Sequence, residues 1–158
     1  MKLLLAAALL LATASASAQT DVLELLRQDI KTQKVALLTA SLPLTEKEAD
    51  AFWPIYRDYD NELSKLGDRR FAVIKEVFAK YKTMDNETAE RLVKESLSIA
   101  EDRTGLLKKY HKKVSKALGA VTAARFLQVE SQMLTLLDAQ IVDQVPLVKT
   151  KPAAEEKK

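Results

Sequence analysis

A helical pattern in the middle of the chain constrains the fold more than any other feature of the sequence. Apolar side chains recur there at intervals of about three and four residues: Phe52, Ile55, Tyr56, Tyr59, Leu63, Leu66, Val73, Ile74, Val77 and Tyr81. Such intervals place side chains on one face of an α-helix. Only three Gly and four Pro occur among 158 residues, so few positions can break a helix. The pattern predicts a helix on the order of 45 to 55 Å long.

Local signals predict where this helix and its predecessor meet. Apolar positions from Val22 to Leu38 predict a first amphipathic helix over about Asp21 to Ala40, which Pro43 ends. Thr45 and Glu48 then match the T-x-x-E capping box, in which each residue satisfies a backbone donor of the other. The second helix is therefore expected to begin at this box.

Two further helices follow. Asp85 is a candidate N-cap for the third helix, and Gly119 a candidate stop. Between them an apolar stripe is predicted at Val93, Leu97, Ala100, Thr104, Leu107, His111, Val114 and Leu118. The fourth helix is predicted over about Val121 to Gln144, before Pro146.

These elements predict an all-α fold, an extended four-helix antiparallel hairpin with two long central helices. We expect the shorter first and fourth helices to pack against the ends of the hairpin. One long face is then incompletely covered, and it either pairs with a second copy or receives other polypeptides. The predicted domain spans residues 19–149, and residues 150–158 form a charged tail that is expected to be disordered.

The first eighteen residues predict a cleaved signal peptide. Lys2 gives a positive start, residues 3–12 an apolar run, and Ala16-Ser17-Ala18 the small-x-small pattern of a cleavage site. The run is shorter than the roughly 20 residues that a membrane span needs. We therefore expect a periplasmic or secreted protein that begins at Gln19.

Composition excludes several classes of function. The absence of Cys removes disulfides, thiolate chemistry and Cys-based metal sites. The formal net charge of +3 is too small to indicate nucleic-acid binding. No phosphate loop, G-x-S-x-G or HExxH motif is present, so we predict no catalytic residues, no cofactor and no enzyme activity.

Four stretches resemble a known family. The segment Leu44-Thr45-Glu46-Lys47-Glu48-Ala49 resembles the LTxxQ signature of the Spy/CpxP-like periplasmic proteins, with Glu48 in place of the signature's Gln. The stretches over residues 52–56, 68–70 and 124–130 are similar to those of an uncharacterised branch of such exported helical proteins. A second LTxxQ copy, which family members typically carry, is not matched at residues 118–122.

The resemblance implies a bent helical hairpin, often an antiparallel homodimer, whose concave cradle holds unfolded proteins. It implies an ATP-independent chaperone or an envelope-stress adaptor. Two alternatives stay open: a structural or regulatory protein with one defined envelope partner, and a metal-responsive periplasmic sensor. The sensor would depend on His111, the only histidine, and one imidazole cannot close a zinc site. We therefore predict no metal site.

Three groups are candidates for contact with clients or partners, and each has a structural alternative. Trp53 and Tyr56 are aromatic anchors or core residues. Arg69 and Arg70 contact clients or pair with acids of the third or fourth helix. The third group is a basic cluster: Lys108, Lys109, Lys112 and Lys113, with Lys116 beside it. It attracts acidic clients or makes weak contact with an anionic membrane surface, or it complements the helix dipole and keeps this face soluble.

Overall fold

The computed structural model describes residues 33–150. Helices account for 86% of this part of the chain, and it contains no strand, which confirms the all-α prediction. Helix α1 is described over residues 33–41, and it is followed by α2 (Glu46–Lys80), α3 (Asn86–Leu118) and α4 (Ala120–Gln144). The predicted signal peptide, the predicted start of the first helix and residues 151–158 of the tail lie outside the described residues.

The predicted caps begin α2 and α3. The backbone N–H of Thr45 donates to Oε2 of Glu48 at 2.9 Å, and the N–H of Glu48 donates back to Oγ1 of Thr45 at 3.4 Å. The hydrogen bonds that the backbone N–H and the hydroxyl of Thr45 donate to Oε2 of Glu48 lower the pKa of this carboxyl group. At the start of α3, Oδ1 of Asp85 accepts the N–H of Thr88 at 2.7 Å. Each cap satisfies donors that a helix start otherwise leaves unpaired.

A single residue separates α3 from α4. Gly119 has φ +88° and ψ 163°, and its N–H still donates to the carbonyl of Ser115 at 3.0 Å. This φ lies in the left-handed half of backbone space, which glycine enters without a steric penalty because it has no Cβ. The chain therefore reverses direction at Gly119, as its sequence position predicts.

Helix α4 runs the full length of the hairpin, which differs from the prediction that it packs against one end. At one end the ring of Phe126 lies 5.8 Å from that of Phe52 near the start of α2. At the other end a second apolar cluster joins α2 to α4: Phe71, Ile74, Phe78, Ile141 and Val145. After α4, the N–H of Lys149 donates to the carbonyl of Tyr81 at 2.8 Å. The apolar positions of α4 are spread over its whole length, so burial requires this complete overlap.

The main core lies at the end of the bundle where α1 meets the other three helices. Its largest buried members include aromatic residues of α2, α3 and α4 and one leucine of α1: Phe52, Tyr59, Tyr110, Phe126 and Leu38. Each large apolar side chain that is fully buried contributes about 1.5 to 3 kcal/mol to burial before entropy is subtracted. This core fixes α1 between α2 and α4.

The predicted apolar stripe of α3 is wrong by one residue over most of its length, whereas Val114 is buried as predicted. Val93 and Leu97 are 58% and 60% exposed, whereas Leu92 and Ile99 are buried. Tyr110, which is 1% exposed, occupies the core position next to the half-buried His111. The buried stripe is interrupted by the polar residues Ser96 and Arg103, which line the space between the helices, so unbroken apolar spacing does not identify it.

Candidate functional site

An apolar groove lies between α2, α3 and α4 and holds about 480 Å³. It exists because the backbones of α2 and α4 both pack along α3 and stay apart from each other: no Cα atom of α2 lies within 8 Å of a Cα atom of α4. The walls are mostly aliphatic and aromatic, and include Leu63, Phe71, Ile74, Val77, Leu137 and Ile141. We call this site the α2–α4 groove.

Three charged residues bridge the walls of the α2–α4 groove. Nη1 of Arg103 on α3 donates to both oxygens of Asp138 on α4, at 2.9 and 3.1 Å. Arg70 on α2 pairs with the same carboxylate. Asp138 therefore receives two guanidinium groups from two helices, which holds the three helices in register. Apart from these residues, the lining contains Lys34, Asp60 and two serines and is otherwise apolar.

A buried ion pair closes one end of the α2–α4 groove. Lys34 of α1 is 6% exposed, and its Nζ lies 3.1 Å from Oε2 of Glu130 and 3.5 Å from Oδ1 of Asp60. Tyr59 donates its hydroxyl to the same Oε2 at 2.9 Å. Burial raises the pKa of Glu130, although Lys34 and the Tyr59 hydrogen bond act in the opposite direction. The same burial raises the pKa of Tyr59.

The two aromatic candidates do not lie in the α2–α4 groove. Tyr56 is 3% exposed and belongs to the core, so its ring is not presented on the surface. Trp53 is half-buried at the edge of that core, with its ring 5.2 Å from that of Phe52. It also lines a shallow depression with Arg57 and the exposed Val35. The core alternative therefore describes Tyr56, and Trp53 is the aromatic candidate that remains accessible.

Arg69 forms the pairing that its structural alternative predicts. Its Nε donates to Glu95 at 2.8 Å, its Nη1 to Asp102 at 2.6 Å, and its Nη2 to Ser98 at 3.2 Å. The hydrogen bonds to Glu95 and Asp102 raise its pKa. All three acceptors lie on α3, so Arg69 fixes the register of the α2–α3 hairpin, as Arg70 does for α2 and α4.

The basic cluster divides into paired and exposed members. Nζ of Lys109 lies 2.7 and 2.8 Å from the two oxygens of Glu62, which also accepts the hydroxyl of Tyr110 at 2.7 Å. Lys113 places its Nζ 4.5 Å from the centre of the Tyr110 ring. The side chains of Lys108 and Lys112 are exposed on the same helix. Of the eight candidate residues, only Arg70 lines the α2–α4 groove.

Sequence reasoning missed the groove because its walls come from three helices. One signal was present: Leu127 and Leu134 make the apolar face of α4 wider than a single helix contact needs. A second signal was Lys34, a charge between the apolar positions of the first helix. Neither signal shows by itself that α2 and α4 stand apart.

Two absences within residues 33–150 concern membrane and metal contact. None of the helices in this range combines the length and apolar character of a membrane span. Within the same range, no three His, Cys, Asp or Glu side chains come together as a metal-ion site. No family model, curated protein or solved structure matches this chain.

Proposed function

We propose that the protein is an ATP-independent binder of unfolded or partner polypeptides, of the chaperone or stress-adaptor type, and that it takes an apolar segment of its client into the α2–α4 groove. The observation that carries this proposal is the groove itself, with a largely apolar lining along three helices. The resemblance at residues 44–49 to the Spy/CpxP-like proteins supports the same function. The predicted signal peptide supports a location of this activity in the periplasm or outside the cell.

The chemistry of the groove fits a broad and reversible binder. Burial of apolar surface contributes about 25 cal/mol per Å² and has no directional requirement, so different apolar segments bind to one surface. Arg70, Arg103 and Asp138 are paired with one another, which leaves few polar groups to select a particular sequence. Ordering a client segment opposes these gains, so moderate affinity follows.

The exposed lysines give this binder a second property. Lys108 and Lys112 extend from α3 into solvent and carry positive charge without filling the groove. Such charges raise the rate of encounter with acidic segments over about 8 Å at physiological ionic strength. We therefore assign to them the attraction of clients, and to the groove the retention of clients.

The experiment is an aggregation assay on the mature form, Gln19 to Lys158, with two unrelated unfolded substrates. Leu137 lines the groove, whereas its neighbour Leu136 is 64% exposed. Leu137→Lys should abolish protection, and Leu136→Lys should preserve it, provided that melting curves show both variants folded. Equal protection by both variants would refute the groove as the binding site. Saturable binding of one protein without general protection would instead support a dedicated envelope partner.

A further inference from the structure

The hairpin formed by α3 and α4 carries a strong imbalance of charge. From Thr104 to Val129 the sequence has six Lys and Arg residues and no Asp or Glu, whereas the whole chain has 22 acids. Lys109 is the one cation of this run that forms an ion pair within residues 33–150, and its partner is Glu62. The side chains of the other five are exposed: Lys108, Lys112, Lys113, Lys116 and Arg125. These five residues extend positive charge into solvent.

The positions of four of these cations turn them away from the core. On α3, Lys108, Lys112 and Lys116 each follow a buried residue by two positions. On α4, Arg125 follows the buried Ala123 by two positions. Two residues rotate an α-helix by about 200°, so a side chain two positions from a buried one faces almost directly outward. The cations of both helices are therefore available to a partner outside the bundle.

An exposed apolar side chain lies beside these cations. Val121 precedes the buried Ala123 by two residues, so it also faces outward, and it is 85% exposed. Arg125 follows Val121 by four residues and shares its face of α4. Lys116 lies just before the reversal at Gly119, and Val121 lies just after it. We call this surface, Val121 with the five exposed cations of the hairpin, the basic tip.

The start of α2 lies at the same end of the bundle, because the rings of Phe52 and Phe126 are 5.8 Å apart. Its first turns carry three acids and one lysine: Glu46, Lys47, Glu48 and Asp50. These acids are fewer than the exposed cations of the basic tip. This end of the bundle therefore keeps an excess of positive charge, which complements an anionic surface.

We propose that the basic tip docks on the surface of an anionic lipid bilayer, with Val121 at the boundary between headgroups and acyl chains and the cations against the phosphates. Each Lys or Arg near such a surface strengthens binding about fivefold. Long basic side chains keep their charged ends among the headgroups while an apolar neighbour enters the boundary. An acidic polypeptide is the weaker partner, because it needs only the cations. No residue of the basic tip lines the α2–α4 groove, so the docking is independent of that site.

Vesicle sedimentation tests the contribution of the cations. The mature protein should bind vesicles of phosphatidylglycerol and phosphatidylcholine, and it should not bind vesicles of phosphatidylcholine alone. Changing three cations of the basic tip should weaken binding about a hundredfold, at about fivefold for each charge: Lys112→Gln, Lys116→Gln and Arg125→Gln. The matched control changes three exposed lysines elsewhere and should retain most of the binding: Lys65→Gln, Lys75→Gln and Lys94→Gln. Equal losses in the two triple variants would overturn the basic tip as the docking surface.

The absence of cysteine permits a separate test of Val121. A single Val121→Cys carries an environment-sensitive dye, and Leu136→Cys, at a position of α4 that is 64% exposed, carries the same dye as the control. On the anionic vesicles, the emission of the dye at position 121 should shift to shorter wavelength, whereas the emission at position 136 should not change. Equal shifts at the two positions, or no shift at position 121, would overturn the proposal.

Polyglutamate separates a bilayer from an acidic polypeptide as the partner. We expect the wild type to bind the anionic vesicles at concentrations at which polyglutamate does not displace it. If the wild type binds polyglutamate through the basic tip and does not bind the anionic vesicles, the surface recognises acidic polypeptides and the bilayer proposal is overturned. The triple variant Lys112→Gln, Lys116→Gln and Arg125→Gln shows whether either ligand uses the basic tip.

Discussion

The hydroxyl of Tyr59 and Nζ of Lys34 converge on the same oxygen of Glu130. Tyr59 donates to Oε2 at 2.9 Å, and Nζ of Lys34 lies 3.1 Å from it. Tyr59 and Glu130 are fully buried and Lys34 is 6% exposed, so the three groups interact away from solvent. They come from α2, α1 and α4, and this is the point at which α1 is fixed to the bundle.

Lys34→Met should destabilise the protein by about 3 to 5 kcal/mol, because it leaves the carboxylate of Glu130 buried without its cation. Denaturation in urea at pH 7 measures this loss. The loss should shrink as the pH falls toward 4.5, the ordinary pKa of a glutamate. The sign follows from the pKa of Glu130, which burial raises: the folded state prefers the protonated acid, so removing the cation costs most where the acid is ionised.

The double variant Lys34→Met with Glu130→Leu is the control for this prediction. It removes the buried charge together with its partner, and apolar replacements of buried ion pairs are often neutral or stabilising. It should therefore recover much of the stability that the single variant loses. A double variant that is less stable than Lys34→Met alone would show that Glu130 has a role other than pairing with Lys34.

The contacts of Glu62 predict a dependence of stability on pH. Hydrogen bonds from Lys109 and Tyr110 lower the pKa of Glu62 below 4.5. Its contribution is therefore fully present above pH 4.5 and is lost as the pH falls through the lowered pKa. Glu62→Gln should reduce the free energy of unfolding at pH 7, and the difference from the wild type should vanish in acid.

A matched pair of lysine variants checks the origin of this effect. Lys109→Gln should reduce stability at pH 7 because it removes the cation that holds Glu62. Lys108→Gln, on the adjacent exposed position, should leave the melting temperature unchanged. Equal effects of the two changes would attribute the loss to net charge and not to the contact with Glu62.

Arg70 and Arg103 should show coupled effects on stability, because both bind Asp138. Either Arg70→Gln or Arg103→Gln leaves the carboxylate with one guanidinium, so each single variant should lose little free energy of unfolding. The double variant should lose more free energy of unfolding than the two single variants together, with a coupling of about 0.5 to 3 kcal/mol. Additive losses measured in urea would show that each arginine acts independently.

The ends of the helices could be predicted from sequence because their determinants are local. Thr45, Glu48 and Asp85 bind backbone donors no more than three residues away, and Gly119 acts through its own φ. The residues that form each of these signals lie close together in the chain, so they can be identified without knowledge of the tertiary structure. The fold class followed from these ends and from the apolar spacing between them.

The groove and the apolar stripe of α3 could not be predicted in the same way. Leu92 and Val93 are adjacent, as are Leu106 and Leu107, and spacing alone does not decide which member of each pair faces the neighbouring helices. The choice depends on Arg103, whose charge is tolerated because Asp138 of another helix meets it. A pairing between distant helices leaves no local pattern in the sequence.

Substitution by alanine is expected to have opposite effects on stability at two glycines, Gly105 and Gly119. A Cβ at Gly105, inside α3, would have no atom within 4 Å, and a Cβ at Gly119 would also meet none. Steric clashes therefore do not distinguish the effect of alanine at the two positions. Gly105→Ala should stabilise the protein by about 0.5 to 1 kcal/mol, because alanine loses less conformational entropy in a helix. Gly119→Ala should destabilise it by about 1 to 3 kcal/mol, because φ is +88° there.

Thermal unfolding of the wild type and the two alanine variants measures the direction of both changes in melting temperature. The melting temperature should rise for Gly105→Ala and fall for Gly119→Ala. If both melting temperatures rise, position 119 does not require a positive φ, and the reversal between α3 and α4 can form with a negative φ. If both melting temperatures fall, a contact that this surface of α3 makes in solution, such as one with a second copy, outweighs the entropic gain at Gly105.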